Sequence, residues 1–195
     1  MNFDFQKKQA LEKTNKFDNS KKRSIDIQIL PLINLINSHP DYYTTSSCAG
    51  RIMLFKESNA KNNSEWTFCS HDKIKISQLD EYLAILPKET LFLRMEPPIL
   101  HISARDMDAA GKLLKFANDA GFRRSCILSF SKRIILEIMI PEKLDAPISE
   151  KNRLLVTKDY IKKLVKHANL RLSKSRIKLK KFEKKFTSLI KQQQV

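Results

Sequence analysis

The 195-residue chain carries 37 lysines and arginines against 21 acids, a formal net charge of +16. Hydrophobic residues make up 42%, enough for the core of one domain, yet no apolar run reaches the roughly 18 residues a membrane span needs. Three scattered cysteines exclude a disulfide framework and residues 1–8 hold no apolar signal stretch, so a cytoplasmic protein with free thiols is expected.

In chain order, residues 2–14 suit a short helix with Phe3, Phe5 and Leu11 as its apolar points, and 15–24 form a polar loop. Helical spacing of Ile29, Leu32, Ile33 and Ile36 predicts a helix over 25–37, in which Pro31 must fall early or make a kink. Residues 42–45 and 51–56 are β-prone around a small, loop-like 46–50, and a loop over 57–64 leads to a strand at 66–71. Ser77 to Asp80 resembles a capping box opening a helix through Leu86. Strands are predicted at 90–96 and 99–104, then a helix capped by Asp106 and closed by Gly121. Residues 126–130 and 134–140 read as a hairpin, and 141–152 as a linker with two prolines.

The tail is helical. Ile161, Leu164, Val165, Ala168 and Leu172 keep the i, i+3, i+4, i+7 pattern, and Leu179, Phe182, Phe186, Leu189 and Ile190 resume it after a break expected near Ser173. This order predicts an α+β fold with a mixed, mostly antiparallel sheet, flanking helices and a C-terminal helical segment. A single domain is expected, with an α+β core over 1–150 and a basic helical segment over 151–195.

Residues 151–195 hold 15 lysines and arginines against two acids, while the other 150 residues hold 22 against 19. A field so concentrated attracts a polyanion, and nucleic acid is the leading partner. An anionic membrane surface is the second reading, which requires the apolar stripe of the tail to be exposed. Lysine-rich helices also serve simply as solvated faces.

Only Gly50, Gly111 and Gly121 occur, and none belongs to a dinucleotide-binding or P-loop pattern. Cys48, Cys69 and His71 match no common zinc spacing, so no metal is expected. The run Thr44-Thr45-Ser46-Ser47-Cys48-Ala49-Gly50-Arg51 offers hydroxyls and N–H groups that suit an anion, with Arg51 able to grip a carboxylate or phosphate; it also reads as a plain serine-rich turn. The loop Asp18-Asn19-Ser20-Lys21-Lys22-Arg23 can bind phosphate before a helix, or be a solvated linker in which Asp26 caps that helix. His71 and His101 fall near strand ends, Trp66 can stack on a base or fill the core, and Glu96 is expected to pair with Arg94 or Arg124.

Taken together these stretches are more specific. The acidic–Ser–Lys loop, then INSHPDYYTTSSCAGRI (36–52), then Trp66 and His71, resemble the wybutosine-synthesising protein 3 family. The similarity continues in LRMEPPILHI (93–102), AGFRRS (120–125) and DYIKKLVKHANLRL (159–172), and so covers nearly the whole chain. The resemblance implies an S-adenosylmethionine-dependent methyltransferase without a Rossmann-like fold, acting on a ring nitrogen of the tricyclic guanosine derivative beside the anticodon of phenylalanine tRNA. The family's motif residues fall on Asp18, Ser20, Lys22, Asp26, Ser46, Ser47, Cys48, Gly50, Arg51, Trp66, His71, Glu96 and His101. Of these, His71, Asp26 and Ser47 are the catalytic candidates, His71 first as base. Ser20, Lys22, Ser46, Ser47, Cys48, Gly50, Arg51, Trp66 and His101 are the candidates for holding cofactor. Arg23 and Cys126 depart from the family, which usually has glycine at both places. The expected partner is tRNA, bound through Lys162, Lys163, Lys166, Arg171 and Lys174, with no membrane and no metal. The alternative is a non-catalytic basic RNA-binding protein that assists tRNA modification.

Overall fold

The computed structural model describes residues 2–16, 26–57 and 65–192. In chain order these form α1 (Phe3–Lys16), α2 (Leu30–Ser38), β1 (Tyr42–Cys48), β2 (Arg51–Lys56), β3 (Glu65–Ser70), a 3-10 turn (Ile76–Leu79) running into α3 (Asp80–Ala84), β4 (Leu91–Glu96) and β5 (Ile99–Ala104). After these come α4 (Met107–Asp119), β6 (Cys126–Ser129), β7 (Ile134–Met139), β8 (Leu144–Glu150), β9 (Arg153–Leu154) and α5 (Lys158–Gln192). All strand pairings among the described residues are antiparallel, so the fold is α+β and not doubly wound, as its pattern predicts.

The chain divides into two compact units, Met1–Ala49 with Pro98–Pro141 and Arg176–Val195, and Gly50–Pro97 with Glu142–Ser175. The first holds a four-stranded sheet in the order β1-β5-β7-β6. Alternation along β5 and β7 gives one face to Leu100, Ile102, Leu136 and Ile138. These pack with Leu32, Ile33 and Ile36 of α2, Ala110, Leu113 and Ala117 of α4, and Phe182 and Phe186 of α5. The second unit holds a sheet in the order β3-β2-β4-β8-β9. Its core joins Ile52, Leu54, Leu91, Leu93, Met95 and Ile148 to Ile161, Leu164, Val165, Ala168 and Leu172 of α5.

Several local expectations are corrected. α2 starts at Leu30, with Pro31 in its first turn, where a missing N–H costs nothing. Residues 46–48 are strand and not loop, because β1 continues pairing with β5 as far as Cys48 opposite Ile99. The supposed linker contains β8, whose Leu144, Ala146 and Ile148 contribute to the second core; Pro147 is tolerated beside a register shift between β8 and β4. The turn before α3 opens at Lys75, whose N–H donates to Gln78 Oε1 at 2.7 Å, and α3 ends at Ala84, short of Leu86. α5 runs unbroken past Ser173. There Ser173 and Ser175 return their hydroxyls to the carbonyls of Asn169 and Arg171, each at 2.8 Å, which satisfies them inside the helix.

Candidate functional site

In the first unit, Ser46, His101 and Glu137 converge on the sheet face opposite the core. The pairing of β1 with β5 runs Tyr43 to Ser103 and Thr44 to Ile102, then shifts so that Ser46 lies opposite His101. The extra residue, Thr45, is a bulge, and bulges re-aim the side chains that follow them. On the next strand Glu137 is the register partner of His101. The three side chains are bonded in series: Ser46 Oγ lies 2.6 Å from His101 Nδ1, and His101 Nε2 lies 3.0 Å from Glu137 Oε2. A carboxylate only accepts, so in the neutral ring Nε2 carries the hydrogen and Nδ1 accepts from the serine hydroxyl. His101 and Glu137 retain 26% and 20% of their side-chain exposure, whereas Ser46 is exposed. The hydroxyl is therefore the outward end of the series.

Next along β1, Ser47 alternates to the core side, opposite Leu100. Its Oγ is buried and bonds to no described residue. Cys48, half-buried, ends the strand, and the Ala49 N–H donates to Asp26 Oδ2 at 2.8 Å. Asp26 therefore reaches the motif and holds its backbone, while the N-cap position of α2 falls to Ile29, with no side-chain cap.

The second unit begins with Gly50, which is buried and has a φ of 84°, a region that L side chains adopt only with strain. Its carbonyl faces His71 Nδ1 at 3.1 Å. Arg51, first in β2, lies opposite Glu96 in register and bonds its carboxylate twice, through Nε at 2.8 Å and Nη2 at 2.7 Å. The Arg51 guanidinium also stacks 4.1 Å from the centroid of the Trp66 ring. Glu96 thus pairs with Arg51, not Arg94 or Arg124; Arg94 is held by Asp145 at 2.9 Å. Trp66 is half-buried, so it is neither a core residue nor a fully free stacking surface.

Ser20 and Lys22, along with Asp18 and Arg23, lie outside the described residues. On α5, Lys162, Lys163, Lys166, Arg171 and Lys174 are all exposed, while the described part of the stripe expected to dock, from Ile161 to Phe186, is buried in the cores, with Ile190 packed partly buried against the first. A membrane anchor would need that stripe on the surface. No described helix is long and apolar enough to cross a membrane. None of the three cysteines forms a disulfide.

Glu137 was not among the sequence candidates. Its signal was a lone acid in the apolar strand Ile134–Met139, but its partner His101 is 36 residues away and is matched only by strand register.

The family model described as Methyltransferase TYW3 matches residues 5–188. The chain belongs to that family. The TYW3-family methyltransferase is 37% identical over 191 residues to a Thermococcus sibiricus protein named tRNA(Phe) 7-((3-amino-3-carboxypropyl)-4-demethylwyosine(37)-N(4))-methyltransferase, with 96% of each chain covered. It is also 37% identical over 168 residues to a Pyrococcus abyssi protein of the same name, numbered 1, covering 85% of this chain and 87% of that relative. Among solved structures, the PH1069 protein from Pyrococcus horikoshii aligns with a TM-score of 0.88 at 32% identity, covering 96% of this chain and 95% of that one. A hypothetical protein from Aeropyrum pernix aligns with a TM-score of 0.73 at 28% identity, covering 85% and 99%. The motif resemblance and the antiparallel fold therefore agree: this methyltransferase is built without a glycine-rich nucleotide loop.

Proposed function

We propose that this methyltransferase moves the methyl group of S-adenosylmethionine to the N4 ring nitrogen of 7-(3-amino-3-carboxypropyl)-4-demethylwyosine in phenylalanine tRNA, in the cytoplasm. The observation that carries the reading is end-to-end similarity to the Thermococcus sibiricus enzyme bearing that name, with 96% of both chains aligned. When bound, the donor supplies a methyl carbon already activated by its sulfonium, so the protein's task is chiefly positioning.

The residues present fit such a donor. Ser47 Oγ is a buried hydroxyl bonded to no described residue, and a hydroxyl can donate to a carboxylate or accept from an ammonium, the two polar groups at the donor's amino-acid end. On the second unit, Arg51 is held in a defined orientation by Glu96 and Trp66, which suits it to grip an anionic group of the substrate. The exposed lysines of α5 would neutralise tRNA phosphates, which fixes the RNA without reading its sequence. A neutral ring nitrogen awaiting its methyl carries a proton that must leave. His71, Asp26 and the Ser46–His101–Glu137 series are the groups able to receive it.

Titration calorimetry with S-adenosylmethionine, joined to methyl incorporation into tRNA carrying the precursor base, tests the proposal. Wild type should bind and transfer. Ser47→Ala should weaken donor binding about tenfold, the equivalent of one lost hydrogen bond of about 1.4 kcal/mol. Absence of donor binding with the tRNA present would move the chain to the alternative of an RNA-binding protein without its own chemistry.

A further inference from the structure

We propose that Ser46, His101 and Glu137 form a proton relay, with Ser46 Oγ receiving the proton released by the substrate nitrogen, His101 acting as the base behind it, and Glu137 holding the imidazole in its working tautomer. The proposal rests on the function above and names a set of residues and an order of transfer within it.

The geometry sets the direction. Glu137 Oε2, 3.0 Å from Nε2, fixes the hydrogen on that nitrogen and leaves the Nδ1 lone pair aimed at Ser46 Oγ, 2.6 Å away. The hydroxyl then offers its own lone pairs outward from an exposed position, while the two groups behind it are only a fifth to a quarter exposed. This is the hydroxyl–imidazole–carboxylate order that lets a weakly basic hydroxyl move a proton at neutral pH. The ring-nitrogen roles are exchanged relative to the serine hydrolases, because here the serine meets Nδ1 and the acid meets Nε2. In the transfer the substrate nitrogen forms its bond to the methyl carbon as the carbon–sulfur bond breaks, and that electron pair stays on sulfur. The N–H proton passes to Ser46 Oγ, the serine's own proton passes to His101 Nδ1, and Glu137 offsets the imidazolium charge. Solvent later removes the proton from the ring, and no oxidant or reductant is consumed.

A merely structural reading accounts for this trio less well. β1, β5 and β7 are already joined by backbone pairing, and apolar cross-strand pairs would reinforce them without desolvating an acid and an imidazole. The Thr45 bulge is also placed so that Ser46, and not its neighbour, faces His101. In these terms Ser46 is the catalytic residue, His101 the base acting through it, and Glu137 a positioning residue.

Two measurements decide the matter. Nitrogen-15 spectra of the full chain, which has four histidines, should show His101 as the Nε2–H tautomer, and Glu137→Gln should weaken that preference. An Nδ1–H tautomer at neutral pH in wild type overturns the relay. In single-turnover assays, His101→Gly should lower the rate 100-fold or more without changing tRNA affinity, and added imidazole should restore part of it. Ser46→Ala, at an exposed position that the fold does not need, should lower the rate similarly and gain nothing from imidazole. His101→Gly at the wild-type rate, or a loss that no imidazole recovers, removes the base role from His101. If His71→Ala shows the rescue instead, His71 is the base. A wild type inert on this tRNA overturns the proposed function itself, and the tautomer spectrum still decides the series.

Discussion

Gly121 shows what one residue's backbone contributes. It closes α4 with a φ of 97°, and a Cβ built there meets nothing nearer than Lys178 Cδ at 3.8 Å. Space is available, so the cost of Gly121→Ala comes from the left-handed backbone, about 1–2 kcal/mol. An unfolding free energy from urea titration lowered by that amount, with Gly121→Asn falling between the two, would bear this out. Gly50 has the same requirement at a φ of 84°, inside the motif. The need for glycine at both places could be read from the sequence, since a Gly after a helix or between strands is a turn signal. Pairings could not. Arg51 and Glu96 are 45 residues apart, and nothing local says that β2 and β4 bring them into register.

At the level of elements, α4 and α1 make contrasting cases. Asp106 caps α4 by accepting from the Ala109 N–H at 2.8 Å, as its sequence position predicts. Asp106→Ala should cost about 1 kcal/mol, measurable as a shift in the denaturation midpoint. α1 is tied down by tertiary contacts. Arg105 reaches both Asp4 oxygens, at 2.7 and 3.1 Å, and Asp41 at 2.9 Å, while Phe3 packs on Tyr43 with ring centroids 5.3 Å apart. The Arg105 guanidinium holds the Asp4 carboxyl below its ordinary value of 3.8. A carboxyl lowered in the folded state contributes stability that is complete above its ordinary value and is lost as pH falls through the lowered one. Amide chemical shifts of α1 followed in acid should therefore show the helix loosening below that ordinary value, and Asp4→Asn should remove this pH dependence. Elsewhere the elements depended on what lay opposite. Ser46 to Cys48 is strand because β5 pairs with it, and the proline-bearing 144–150 is strand because β4 does, although neither sequence favours a strand by itself.

Over the whole molecule the distribution of charge matters most. With a net charge of +16 and the surplus gathered on α5, the chain should bind tRNA in a strongly salt-dependent way. Lys162→Glu combined with Lys163→Glu should weaken tRNA affinity, and the slope of log affinity against log salt should drop by about two if each lysine meets one phosphate. The methylation rate at saturating tRNA should be unchanged if, as proposed, those lysines hold the RNA backbone and not the reacting atoms. Filter binding over a salt series, alongside single-turnover rates, separates the two effects. A loss of rate at saturation would place these residues nearer the chemistry than proposed.

The sequence by itself determined the α+β class, the apolar stripe of the tail, the two ends of α4, the basic surplus and the Ser-Ser-Cys-Ala-Gly-Arg motif that marks the family. Each is written in the local order of residue types, where periodicity and turn chemistry act over a few positions. Tertiary structure alone decided that α5 contributes to two cores, that Glu96 pairs with and orients Arg51, and that a bulge at Thr45 sets Ser46 against His101, which Glu137 holds from the next strand. These depend on register between strands distant in the chain, and register follows from burying one face of each sheet, a choice no short stretch makes alone.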